Sequence, residues 1–148
     1  MISFFAEDID FNLKEKNRIK KWLRAVAEQL ARPVSRQIGD LNYIFCSDEY
    51  LLKMNIDYLG HDYYTDVITF DNSNDIPVSK SKPSKVSGDI FISIDRIRAN
   101  GIEYGEGFEK ELLRVIVHGL LHLIGYDETS AELQAEMRAA EDKALMME

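Results

Sequence analysis

The chain is poor in cysteine: Cys46 is the single one in 148 residues. That excludes a disulfide framework and a thiolate metal centre, and it leaves Cys46, inside the strand-like NYIFCS, as a small core residue. There are three prolines, and no apolar run reaches the roughly 18 residues that a membrane span needs. A soluble globular protein is expected, and a chain of this length is expected to form one domain over residues 1–148. The opening MISFFAEDIDF has no basic start, no long apolar middle and no small-residue cleavage site. It reads as a first strand and not as an export signal, so a cytoplasmic location is the default expectation. Positive charge is scarce too, and a net charge of −8 argues against a protein that coats itself in nucleic acid through bulk electrostatics.

What positive charge there is clusters. Between Lys14 and Arg36 stand eight basic residues against Glu15 and Glu28, whereas from Glu103 onward eleven acids face four bases. Such asymmetry permits a basic face on an acidic protein; the plainer alternative is the solvated side of an amphipathic helix.

Helical spacing of Ile19, Trp22, Leu23, Val26, Ala27 and Leu30 predicts a helix over 14–31. Further helices are expected at 48–58, opened by Ser47 or Asp48, after a cap at Asp95, at about 107–124 and at about 130–146. Gly101 or Gly105 should mark the weakening of the third of these. The β-branched and aromatic runs ISFFA, DLNYIFCS, DVITFD and GDIFISI predict four strands. Residues 71–88, rich in Ser, Asn, Pro and Lys, predict an exposed, mobile loop. The fold class is therefore α+β: a small mixed four-stranded sheet packed with about five helices.

The chemistry concentrates in HGLLHLIGYDETSAE, residues 118–132. The helix that ends there is apolar nearly all round, and His118 and His122 lie four apart on one face of it. Two imidazoles so placed can reach one zinc ion; the alternative is two core histidines held by ordinary hydrogen bonds. Gly125 falls where a left-handed residue would turn the chain back, which brings residues 127 and 128 toward the histidines. The spacing His118, His122, Gly125, Glu128 is that of the long metzincin motif, with Glu128 in the third ligand position. Two histidines and a glutamate form a known catalytic zinc set with an open fourth position. Asp127 is the competing ligand, and both acids could equally serve the next helix, where Thr129 and Glu132 read as a capping box. Gly119 stands where a zinc protease carries its general-base glutamate, which disfavours that activity.

HGLLHLIGYDE resembles the signature of the YbeY-type endoribonucleases at every fixed position except the last. NIDYLGHDYYTDVITF, residues 55–70, and GDIFIS, residues 88–93, resemble two further blocks of that family. The resemblance runs from about residue 40 onward. It implies a zinc-dependent, single-strand-specific endoribonuclease acting in 16S ribosomal RNA maturation and ribosome quality control. Its partners would be ribosomal RNA and the small ribosomal subunit, with neither DNA nor a membrane involved. It implies one zinc ion held by His118, His122 and Glu128, and a substrate cleft edged by His61, Thr65 and Asp66. Gly119 would allow close helix packing, and basic residues of the first helix would track the RNA backbone. Two positions depart from the family: Glu128 stands for its third histidine, and Leu59 for an arginine that contacts the scissile phosphate. His61, or a lysine of the 80–85 loop, is the candidate substitute, unless His61 is an idle loop residue. A ribosome assembly factor that keeps the metal only as a structural element is the competing function.

Overall fold

The computed structural model describes residues 1–73 and 85–148. The 71–88 loop expectation falls mostly outside the described residues. Among the described residues nine elements follow one another: β1 (Ile2–Ala6), α1 (Lys16–Leu30), β2 (Ile38–Cys46), α2 (Asp48–Leu59), β3 (Val67–Asp71), β4 (Val86–Ser93), α3 (Ile94–Glu103), α4 (Phe108–Leu123) and α5 (Ala131–Met147). The expected α+β class, with a mixed four-stranded sheet and five helices, is the one observed. Among the described residues no helix is long and apolar enough to cross a membrane.

The sheet order is β1-β2-β4-β3, parallel except for β3, which runs antiparallel on the edge beside β4. Alternation along the strands sends Leu41, Tyr43, Phe45, Ile90 and Ile92 to one face, where they join α1, α4 and α5 in one buried core. The other face carries Cys46 and Ile68, covered by Leu51 of α2. Burial pushes the Cys46 thiol up to about 12, so it is an inert core residue.

α4 is the central helix, and two features seat it. Tyr43 reaches through the core to donate its hydroxyl to the carbonyl of Ile116 at 2.8 Å. Gly119 faces the sheet, where a Cβ would come within 2.8 Å of the Ile90 side chain. Trp22 of α1 ties itself to α5 by donating Nε1–H to the Ala144 carbonyl at 2.8 Å.

Of the three capping expectations, the first is met by one of its two candidates and the other two are corrected. Ser47, not Asp48, caps α2, accepting from the amide of Tyr50. Ser93, not Asp95, caps α3, and Asp95 instead accepts the amide of Asp48 at 2.9 Å, stitching the starts of α2 and α3 together. Ser130, not Thr129, caps α5; the Thr129 hydroxyl donates to Asp127, so the Thr129–Glu132 box does not form. Gly101 stays inside α3, buried against Gly107, and the left-handed turn after the helix falls at Gly105.

Candidate active-site cleft

A cleft of about 470 Å³ opens between α4, the middle of α5 and the segment that joins α2 to β3. The face of α4 carrying Glu111, Arg114, His118 and His122 forms its floor, since those positions recur every three or four residues. Glu128 enters from the turn after α4. His61, Thr65 and Asp66 line the opposite wall. The six residues singled out in the sequence thus share one cleft.

The turn is held rigidly. At Gly125 φ is +117°, a conformation favourable for glycine alone, and a Cβ would lie 2.5 Å from the Arg32 carbonyl oxygen. The reversal lets the amide of Tyr126 donate to the Leu121 carbonyl at 3.1 Å. The Arg32 amide donates to the Ile124 carbonyl at 3.0 Å, the Tyr126 hydroxyl to that of Leu30 at 2.9 Å, and the Arg32 guanidinium sits 4.0 Å over the Tyr126 ring. The turn is fastened to the end of α1 on both sides of Gly125.

From this turn Glu128 places Oε2 3.4 Å from His118 Nε2. The other ring nitrogen, Nδ1, lies 2.8 Å from Oε2 of the buried Glu141. An ionised carboxylate only accepts, so Nδ1 carries a proton in the charged and the neutral ring alike, and Nε2 faces Glu128. Glu141 Oε1 accepts from Arg114 Nη1 at 3.0 Å, and Arg114 Nη2 donates to Asp142 at 2.9 Å. Burial works against charge on His118, but the hydrogen bonds and charges of Glu128 and Glu141 outweigh it and push its pKa up to about 10. The bond to His118 in turn holds Glu128 below the usual carboxylate range, against its partial burial. Asp66 and Glu111 are raised, first by burial; the charge of Asp66 adds to the shift of Glu111.

Two ligands on a tetrahedron with arms of about 2.0–2.1 Å stand about 3.4 Å apart, and His118 Nε2 and Glu128 Oε2 are at 3.4 Å. The carboxylate behind Nδ1 is the usual outer partner of a zinc-binding imidazole. This pair of donors therefore fits the spacing of two zinc ligands. Among the described residues, however, no three His, Cys, Asp or Glu side chains stand close enough together to hold an ion in this conformation. His122 is exposed on the cleft floor, one turn further along α4. Of the two acids after Gly125, Glu128 lines the cleft, while Asp127 spends both oxygens on the turn, accepting from the Glu128 amide at 2.7 Å and the Thr129 hydroxyl at 3.1 Å.

On the far wall, the buried Asn55 side chain donates to the Tyr63 carbonyl at 3.0 Å while its backbone carbonyl accepts the His61 amide at 3.1 Å, which shapes the loop at the cleft mouth. His61 stacks on Tyr63, and Leu59 is half exposed beside them. The basic residues of α1 do not line the cleft. Sequence reasoning missed Arg114, Glu141 and Arg138. The visible signal was a charge inside an apolar stripe: Arg114 among Leu113, Val115 and Ile116, and Glu141 between the buried Met137, Ala140 and Ala144.

The family model described as Endoribonuclease YbeY matches residues 2–147. Endoribonuclease YbeY of Cytophaga hutchinsonii is 47% identical over 146 residues, 99% of this chain and 94% of that protein. Endoribonuclease YbeY of Porphyromonas gingivalis strain W83 is 41% identical over 146 residues, covering 99% of this chain and 89% of its own length. Among solved structures, the solution structure of TM1509 from Thermotoga maritima superposes with a TM-score of 0.64 at 29% identity, over 99% of this chain and 88% of that one.

Proposed function

Because the chain belongs to the endoribonuclease YbeY family, we propose that it hydrolyses phosphodiester bonds of single-stranded RNA in this cleft. Its substrate is 16S ribosomal RNA during maturation and quality control of the small ribosomal subunit. Zinc is the cofactor, held by His118, His122 and Glu128. When bound, zinc supplies Lewis acidity, which polarises a phosphoryl oxygen and makes water acidic enough to attack near neutral pH.

The observation that carries the reading is His118 between two carboxylates: Nδ1 on Glu141 at 2.8 Å, Nε2 opposite Glu128 at 3.4 Å. Glu141, anchored by Arg114, fixes the ring so that Nε2 is always the nitrogen presented to the cleft. Asp66, whose burial favours its protonated form, stands across the cleft where it can hold or release a proton near the reacting phosphate. Thr65 and His61 edge the groove along which the strand lies.

The test is incubation of purified protein with a single-stranded 16S ribosomal RNA fragment, with zinc and with chelator, beside Glu128→Ala. Cutting that needs zinc and is abolished in the variant is expected. Inactivity of the zinc-loaded wild type, with binding to the ribosomal subunit intact, would overturn the enzyme reading in favour of a non-cleaving assembly factor.

A further inference from the structure

Arg138 lies on α5, three residues before Glu141, and lines the cleft. Its side chain is 61% exposed, and the one carboxylate within ion-pair distance among the described residues, Glu141 Oε1, stands 3.9 Å from Nη1. That is too long for a hydrogen bond. Arg114 is in the opposite condition, 8% exposed and committed to Glu141 and Asp142 at 3.0 and 2.9 Å. Among the described residues of the cleft, Arg138 is thus the guanidinium whose donors are open to an incoming group.

The cleft needs such a group if a phosphodiester is to enter it. Asp66, Glu111, Glu128 and Glu141 all line it, and an anion is repelled by each of them that is ionised. Glu141 also relates Arg138 to His118. One of its oxygens faces Arg138, and the other touches His118 Nδ1. The guanidinium therefore lies one carboxylate group away from the imidazole, at the wall of the same cleft. A planar fork of five donors matches two oxygens of one phosphate.

We propose that Arg138 is a phosphate-binding residue of the cleft, clasping a phosphodiester of the RNA strand. This rests on the RNA-cleaving reading above. The alternative is a solvated arginine that only lends charge to the surface of α5.

The test compares Arg138→Ala and Arg138→Lys with wild type. Binding of a short single-stranded RNA, kept uncut by chelator, is measured by fluorescence anisotropy across a salt series, and kcat and KM on the same strand with zinc are measured beside it. Loss of a charged contact should weaken binding about tenfold in Arg138→Ala. The slope of log affinity against log salt should shrink by about 0.7, the share of one phosphate contact on a single strand. Arg138→Lys should keep the slope and recover part of the affinity. An Ala variant that melts like wild type and binds with wild-type affinity and slope overturns the assignment while leaving the cleavage reading intact. If the zinc-loaded wild type neither binds nor cuts single-stranded RNA, both fall together.

Discussion

Glu141 decides what His118 can do. It is buried, holds Nδ1 at 2.8 Å and is itself held by Arg114 at 3.0 Å. Without metal, the imidazole between Glu128 and Glu141 has its pKa pushed up to about 10, because the two carboxylates outweigh the burial that opposes charge. An unfolded histidine titrates near 6.5. The folded value is the higher one, so the stabilisation is complete below about 6.5 and is lost as pH rises through about 10. The metal-free protein should therefore melt at progressively lower temperature between pH 7 and 10, and the decline should flatten in His118→Asn, which has no proton to lose. Zinc takes the nitrogen in place of that proton, so its affinity should rise over the same interval. Glu141→Gln should lower zinc affinity about 10- to 100-fold in chelator competition. A wild-type midpoint that holds or rises with pH would contradict the imidazolium assignment. The ligand candidates were legible in the sequence because one helix face and one glycine turn place them, and both are local. Arg114 and Glu141 were not, because a charge on a helix reads as solvated until its partner is found, and here the two lie 27 residues apart on different helices.

Among the elements, α4 depends on two glycines for different physical reasons. Ala at 119 gains about 0.5–1 kcal/mol of helix propensity, but its Cβ would lie 2.8 Å from Ile90 Cγ2. Overpacking of about 1–3 kcal/mol should exceed the gain. Gly119→Ala should thus destabilise wild type in urea unfolding yet cost less in an Ile90→Ala background, a coupling that a double-mutant cycle reads directly. Additive effects would show that the glycine is not there for this contact. Gly125→Ala meets both a positive φ and the Arg32 carbonyl, so it should cost more than Gly60→Ala, whose φ is +68° with nothing within 4 Å. It should also weaken zinc binding, since Glu128 rides on that turn. Helix and strand spans were readable from periodicity to within a residue or two. Ser47 was one of two readable caps of α2, but the caps Ser93 and Ser130 were not readable, because Asp95 and Thr129 find their partners in Asp48 and Asp127 instead. Nor was the order β1-β2-β4-β3, since β2 pairs with a strand about 40 residues away.

Over the whole molecule, charge is divided between two places. The cleft concentrates carboxylates, whereas the exposed side of α1 and its flanks carries Lys14, Lys16, Lys21 and Arg24 outside the cleft. A short strand that fills only the cleft would meet few cations; a long ribosomal strand could run on to α1. Each backbone contact on single-stranded RNA releases counterions and adds about 0.7 to the slope of log affinity against log salt. If the strand reaches α1, a long RNA should show a steeper slope than a tetranucleotide. Replacing Lys14, Lys16, Lys21 and Arg24 together by glutamine should bring the long-RNA slope down toward the short one. The net charge of −8 sets the sign of the control: without a localised basic face, lengthening a polyanion would add repulsion, and affinity would fall with length at low salt. Equal slopes for the two lengths, unchanged in the fourfold variant, would make α1 a solvated face and leave recognition to the cleft alone.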